Sequence, residues 1–144
     1  MFRNFLNAAL LGLALVSAVI ADPMLNAVNP LNSLRFEADS DVKCLRSAAE
    51  AGDATAGPST FMLKAPVGCV VPWHFHTAQE QAVVVRGVVK MEMIGAAASL
   101  LGPGGFAVMQ GKVPHQFSCS GKLPCLIMVS FDRKYDIFWG RIAR

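Results

Sequence analysis

Residues 68–87 read Gly68-Cys-Val-Val-Pro-Trp-His74-Phe-His76-Thr-Ala-Gln-Glu80-Gln-Ala-Val-Val-Val-Arg-Gly87, with two histidines, a glutamate and a glycine at each end. Side chains alternate between the two faces of a β-strand, so His74 and His76 point to one side and Phe75 to the other. A chain reversal over residues 77–79 could return Glu80 on a neighbouring strand. Two imidazole nitrogens and one carboxylate oxygen would then meet, and this predicts a metal site.

A third nitrogen is available from His115, which is the only other histidine in the sequence. The pattern resembles the first sequence motif of the cupins. That motif consists of Gly, five residues, His-x-His, three or four residues, Glu, six residues and Gly. It matches this sequence at Gly68, His74, His76, Glu80 and Gly87.

The second cupin motif is kept only in part. It consists of Gly, five residues, Pro-x-Gly, two residues, His, three residues and Asn, and Gly104 and His115 stand at the required separation. The departures are Gln110 at the Pro position, Lys112 at the Gly position and Cys119 at the Asn position. Gly111 and Pro114 are expected to rebuild this turn and to keep the histidine in place.

The resemblance implies an all-β, cupin-type double-stranded β-helix, or jelly-roll, barrel. It also implies one divalent metal ion held by His74, His76, Glu80 and His115. Three nitrogens and one oxygen suit Fe, Mn, Ni, Co, Cu or Zn, and geometry alone would choose among them. Many cupin-like barrels bind no ion, but these usually lack one or more ligands, and none is missing here.

Two functions from different classes fit this ligand set. One is a mononuclear metal-dependent dioxygenase acting on a small oxygenated organic molecule, with Glu80 also serving as a catalytic base after it leaves the metal. The alternative is a non-catalytic, metal-dependent module that binds or senses a small molecule. Strand parity gives the pocket an apolar lining of Phe117, Cys119, Ala82 and Val84, with no second acid or base on those strands.

Strand candidates recur at short intervals, and Gly-rich or Pro-rich breaks separate most of them. They are Val42–Ala48, Ser59–Ala65, Val70–His76, Glu80–Val85, Val88–Ile94, Phe106–Met109, His115–Cys119 and Cys125–Phe131. The clearest alternation places Val89, Met91 and Met93 on one face of a strand. Arg86–Gly87 is expected to form a hairpin turn before this strand, and residues 100–105 a tight loop after it.

The amino terminus is typical of a secretory signal peptide. Arg3 precedes an uncharged apolar run over residues 5–20, and Val19 and Ala21 are small residues at a cleavage site. The run is shorter than the about 20 residues that span a bilayer, so an uncleaved anchor is the less favoured alternative. We therefore predict a signal peptide over residues 1–21, an amino-terminal arm over 22–40 and a cupin domain over 41–144. This implies a secreted or periplasmic protein without a stable membrane span after cleavage.

The charge of the mature chain excludes some partners. Because Arg3 is the only charged residue before Asp22, cleavage lowers the net charge from +3 to +2 and leaves 123 residues, enough for one domain. No basic run of the kind that follows a phosphate backbone is present. Nucleic acid is therefore not an expected partner, whereas a small-molecule ligand or substrate is.

Four cysteines in an exported chain suggest disulfides. Cys119 and Cys125 flank a turn-rich linker, and Cys44 and Cys69 bracket a second one at residues 52–58, so the expected pairs are Cys44 with Cys69 and Cys119 with Cys125. Zinc binding by these cysteines and free thiols in a cytoplasmic protein are the alternatives.

The apolar run Ile137-Phe138-Trp139 in the tail is expected either to pack against the barrel, as a last strand or a helix, or to form a dimer surface. Small single-domain cupins commonly pair through barrel faces and exchanged terminal arms. The resemblance therefore implies a homodimer.

Overall fold

A computed structural model describes residues 27–141. These residues form one short 3-10 helix, Leu31–Ser33, and a series of β-strands. The strands are β1 Glu37–Ala38, β2 Arg46–Gly52, β3 Ser59–Ala65, β4 Val70–Phe75, β5 Glu80–Arg86, β6 Val88–Met93, β7 Ser99–Leu101, β8 Phe106–Met109, β9 His115–Ser120, β10 Cys125–Phe131 and β11 Phe138–Trp139. Over residues 27–141, no helix has the length and apolar character needed to cross a bilayer.

The strands form two antiparallel sheets. The first has the order β1-β2-β3-β10-β5-β8 and the second the order β11-β4-β9-β6-β7. Chain neighbours such as β4 and β5 lie in opposite sheets, so the chain repeatedly crosses between the two layers. This arrangement confirms the predicted all-β jelly-roll barrel.

The core lies between the sheets and follows the predicted alternation. Val89 and Met91 are buried with relative exposures of 1% and 6%, while Lys90 between them is partly exposed. On β9 and β10 the inward residues include Phe117 and Ile127, which belong to the same apolar cluster. The period of two therefore identifies the inward face of these strands correctly.

Most of the predicted strands agree with the observed ones in their bounds. The first predicted strand, Val42–Ala48, is wrong by about half its length. The strand is Arg46–Gly52. The Asp39 carboxylate accepts hydrogen bonds from the backbone amides of Asp41 and Val42, at 2.9 and 2.7 Å. The Leu45 amide then bonds to the Val42 carbonyl. Local turn formation by an aspartate thus competes successfully with strand propensity.

Two turn predictions also differ from the structure. Arg86–Gly87 does not close a hairpin, because it carries the chain from β5 in one sheet to β6 in the other. Gly87 has φ +83°, and a Cβ there would lie 2.9 Å from the Cys125 Cα, so only glycine fits this crossing. The expected loop over residues 100–105 begins later, because Leu100 pairs with Lys90 as part of β7.

Both expected disulfides are confirmed, Cys44–Cys69 and Cys119–Cys125. The second joins β9 to β10, which lie in different sheets, so it crosslinks the two layers rather than a hairpin. Because all four cysteines are paired, no thiolate remains for zinc. Two disulfides also suggest an oxidising compartment.

The described part of the arm runs along one edge of the barrel. The short helix Leu31–Ser33 leads into β1, where Glu37 and Ala38 pair with Ser47 and Arg46 of β2. The predicted signal peptide over residues 1–21 lies outside the described residues. The boundaries of the three predicted segments remain predictions.

Candidate metal centre

The two sheets bring the four predicted ligands together. His74 near the end of β4 and His115 at the start of β9 are direct partners across the antiparallel pair. His76 follows β4, on the same face as His74. Glu80 is the first residue of β5, so it arrives from the opposite sheet and not from a neighbouring strand of the same sheet.

All four side chains are buried, with relative exposures between 2% and 6%. One potential ligand atom from each lies within 4.8 Å of all the others. The Glu80 Oε2 atom lies 3.2 Å from the His76 Nε2 atom and 3.1 Å from the His115 Nε2 atom. The four residues could therefore hold a single metal ion.

Backbone carbonyls orient the three imidazoles. Each ring donates its Nδ1–H to a carbonyl oxygen, that of Pro72 for His74 (2.7 Å), Val113 for His115 (2.9 Å) and Asp136 for His76. In a neutral ring, a donated Nδ1–H leaves the lone pair on Nε2. The three Nε2 atoms face the centre, and any proton that His76 or His115 shares there with Glu80 must leave before the ring binds a cation.

The protonation states of Glu80 and His74 favour cation binding. Burial tends to raise the pKa of Glu80, but hydrogen bonds from His115 and His76 outweigh it and lower this pKa to about 2. Burial, reinforced by His115, lowers the pKa of His74 to about 4. Burial also opposes protonation of His76, yet Glu80 raises the pKa of this ring overall. An ionised Glu80 and a neutral His74 are the forms that bind metal.

The carboxy-terminal segment supports the turn that carries the ligands. The Asp136 side chain accepts hydrogen bonds from the Thr77 amide at 2.7 Å and from the Thr77 hydroxyl. The Asp132 carboxylate accepts the Gln79 amide at 2.9 Å. Since the Asp136 carbonyl also accepts from His76, one distant residue holds both a ligand and the adjoining turn. No sequence pattern indicates this role.

A turn on the other side approaches the same ligands. Lys112 has φ +65°, a left-handed conformation, at the position where the cupin motif has glycine. Its amide donates to the His76 carbonyl at 2.7 Å. A Cβ on the neighbouring Gly111 would lie 2.5 Å from the Thr77 carbonyl oxygen. The expected rebuilding of the turn therefore depends on Gly111, while Lys112 keeps the backbone conformation of the motif.

A cavity of about 160 Å³ opens beside the ligands. Its wall includes His74, His76 and Glu80, and its remaining lining is Asp39, Val42, Leu45, Ser47, Phe61, Leu63, Val71, Phe117, Val129, Phe131, Tyr135, Ile137 and Trp139. Of the four residues expected to line the pocket, only Phe117 lines this cavity. Ala82 and Val84 line a void of about 10 Å³ beneath Glu80, and Cys119 lines neither space because it is bonded to Cys125.

Three cavity residues were missed because they lie outside the predicted pocket strands. The Tyr135 ring centroid is 5.3 Å from that of His76, and the Trp139 centroid is 5.4 Å from that of His74. Burial is the main cause that raises the pKa of Tyr135, and the negative charges of Asp39 and other nearby carboxylates raise it further. The Tyr135 hydroxyl therefore stays protonated. Asp39 comes from the arm, and the run around Trp139 was expected to pack against the barrel or to form a dimer surface.

Comparisons with known proteins agree with the fold. Residues 61–131, which include all four potential ligands, match the family model for the cupin domain. The polyketide cyclase RemF from Streptomyces resistomycificus is 15% identical with a TM-score of 0.69, covering 84% of this chain and 89% of that chain. A cupin-superfamily sugar phosphate isomerase, SPO2919 from Silicibacter pomeroyi DSS-3, is 17% identical with a TM-score of 0.68, covering 81% and 83%.

A third similar chain comes from the crystal structures of the DMSP lyases RdDddP and RnDddQII. It is 17% identical with a TM-score of 0.65, covering 74% of this chain and 62% of that one, which is less than two thirds of its length. No curated protein sequence matches the chain. Residues 61–131 thus resemble the cupin domain in sequence, and the described residues resemble these structures in fold. At these identities the structural matches concern the fold alone.

Proposed function

We propose that this protein binds one divalent transition metal through His74, His76, Glu80 and His115 and acts there on a small organic molecule. The observation that carries the proposal is the position of these four buried donors, which converge at the wall of an apolar cavity. A purely structural cluster would have no need of an adjoining space. Within a cupin barrel, such a space is where a ligand would reach the metal.

The ligands and the cavity walls have different roles in this proposal. The three imidazoles bind the ion through Nε2, and Glu80 adds the single negative charge. A bound ion supplies Lewis acidity, and a redox-active one also supplies electrons for reaction with dioxygen. Apolar walls would exclude water, and Glu80 would accept a proton from the substrate as the catalytic base. An oxygenase reaction makes the fewest demands on the rest of this cavity.

The metal proposal is tested by elemental analysis of protein purified from its own host. One equivalent of a divalent transition metal is expected in the wild-type chain, and none in a variant with all four ligands replaced by Ala. Asp41→Asn, which changes an exposed carboxylate, is the matched control and should keep the metal. Full metal content in the fourfold variant would contradict the assignment.

The reaction is tested separately with the iron-loaded protein in an oxygen electrode. Catechols, flavonols and β-diketones chelate metals through oxygen and are suitable first substrates. Oxygen uptake above that of His76→Ala supports the oxygenase. A zinc-loaded protein that consumes none of them, yet binds a small molecule only when metal is present, supports the alternative, a binding or sensing module.

Export is part of the same proposal. A signal peptide cleaved after Ala21 would deliver the chain to the periplasm or the outside of the cell, where disulfide bonds form. The two cystines are in keeping with this route. The mass of protein from the exported fraction should correspond to a chain that begins at Asp22 and contains no free thiol. An intact amino terminus would contradict it.

We also propose a homodimer formed through the tail. Phe138 stacks on Phe75 at 5.2 Å, but it and Trp139 remain 46% and 44% exposed. A second copy could cover these two rings, since aromatic side chains are enriched in interfaces. Light scattering on the mature protein at micromolar concentration should give twice the monomer mass, and a monomer would be the contrary result.

A further inference from the structure

The cavity beside the metal centre has an unusual distribution of charge. Its ionisable lining comprises the metal-binding residues, Tyr135 and Asp39, and no Lys or Arg contributes to it within the described residues. The charge of Glu80 is directed to the metal site. Asp39 is therefore the one carboxylate left to face a ligand, and a second anionic group on that ligand would have no cation near it apart from the metal.

Asp39 is held in place and still has an acceptor to offer. Its Oδ1 atom accepts the amides of Asp41 and Val42, which fixes the side chain at the start of the turn. Its Oδ2 atom has no hydrogen bond or ion pair with any residue in the described part of the chain. Asp39 is partly exposed and lines the cavity, so this oxygen is free to accept from a positive group there.

Aromatic rings form the adjoining wall. The Phe131 ring lies 5.0 Å from Tyr135 and 6.3 Å from Phe61, at interplanar angles of 70° and 69°. The three rings pack edge to face, and together they form an aromatic corner of the cavity lining. The face of an aromatic ring attracts cations, and alkylated ammonium groups are bound by this kind of ring arrangement.

We infer that the ligand is a small zwitterion, with an oxygen donor for the metal and an alkylated ammonium group that lies between Asp39 and the aromatic corner. This inference rests on the proposed function, because the oxygen donor needs the metal. The cavity volume of about 160 Å³ is the space of about five water molecules, so the ligand has fewer than about ten non-hydrogen atoms. Alkyl groups suit the apolar lining better than a bare ammonium group, which would need more acceptors.

A pair of probes isolates the charge. Trimethylammonioacetate and 3,3-dimethylbutanoate have the same shape and the same carboxylate, but only the first carries a positive head. Calorimetric titration of the full-length, zinc-loaded protein should show the first binding about tenfold more tightly. Asp39→Asn keeps the Oδ1 acceptor and should reduce the ratio below about threefold, and Phe61→Leu should reduce it in the same direction. Glu37→Gln, an exposed residue of β1 outside the cavity, should keep it.

The outcomes separate this inference from the metal proposal, because zinc content is measured on the same samples. Protein that holds no zinc sinks the metal proposal itself. Zinc-loaded protein that binds both probes equally, prefers the uncharged head, or binds neither at millimolar concentration overturns the zwitterion assignment alone. A preference that survives unchanged in Asp39→Asn also overturns it, because the proposed recognition assigns that preference to this carboxylate.

Discussion

Gly111→Ala should damage both stability and metal binding through one contact. The added Cβ would lie 2.5 Å from the Thr77 carbonyl oxygen, whereas ordinary van der Waals contact begins at 3.4 Å. A displacement approaching 0.9 Å is therefore needed at a backbone atom next to the ligand His76. The backbone cannot shift easily there. The Lys112 amide binds the His76 carbonyl, and the Asp136 side chain binds the Thr77 amide of the same peptide bond.

The expected loss of stability follows from the size of this overlap. Forcing extra volume into a packed site costs about 1–3 kcal/mol. For a domain of this size, each kcal/mol lowers the melting temperature by about 4 °C, which gives a fall of about 4–12 °C. Moving a metal ligand through its supporting structure typically lowers affinity by about 10–100-fold. Both effects should appear together, because the same carbonyl oxygen must move.

Thermal unfolding with and without a chelator measures the first effect, and competition with a chromophoric zinc chelator measures the second. Gly57→Ala is the matched control, because a Cβ there would meet no heavy atom within 4 Å. It should leave both quantities unchanged within error. If Gly111→Ala melts at the control temperature, the predicted overlap does not exist. If it melts lower but binds zinc normally, the coupling of this turn to the ligands is refuted.

Three further predictions concern other parts of the domain. Lys112→Gly should raise the free energy of unfolding by about 0.5–1 kcal/mol, because glycine adopts φ +65° without strain. Chemical denaturation measures this gain, and an unchanged free energy would show that the lysine is not strained. Removing the Cys44–Cys69 disulfide, which closes a separation of 25 residues, should lower the free energy of unfolding by about 3.5 kcal/mol, against about 2 kcal/mol for Cys119–Cys125 at a separation of 6. The melting temperatures of the two double-Ser variants measure this difference, and the reverse order would contradict it. In chelator, Glu80 contributes stability that is complete above about pH 4.5 and is lost as the pH falls towards about 2, because its folded pKa is depressed. Acid titration of Glu80→Gln should therefore show a shallower fall over that range, and an unchanged slope would contradict the depressed pKa.

The first motif could be predicted in detail because its information is local. The alternation of a strand puts His74 and His76 on one face whatever the rest of the fold does. Glu80 was placed at the right site by the wrong route, since a neighbouring strand was expected and the opposite sheet supplies it. Hydrophobic periodicity tells which face of a strand is inward, but not which sheet the strand joins. The same limit explains the error at Arg86–Gly87.

The residues that surround the ligands could not be predicted, for a different physical reason. The His76 ring is oriented by the carbonyl oxygen of Asp136, sixty residues away, and every residue has such an oxygen. Asp39 and Tyr135 reach the cavity from the arm and the tail, whose positions depend on tertiary packing. Polar partners of this kind have no periodicity, so only the folded structure reveals them.

Lys112 shows how far a motif mismatch can mislead. The cupin pattern asks for glycine there because the backbone must turn with positive φ, and the lysine adopts that conformation at +65°. A left-handed conformation costs a non-glycine residue about 1–2 kcal/mol, which the hydrogen bond from the Lys112 amide to the His76 carbonyl offsets in part. The turn must therefore be held by its contacts with the ligand-bearing segment. A departure from the motif at this position changes the stability of the turn while leaving His115 where the first motif needs it.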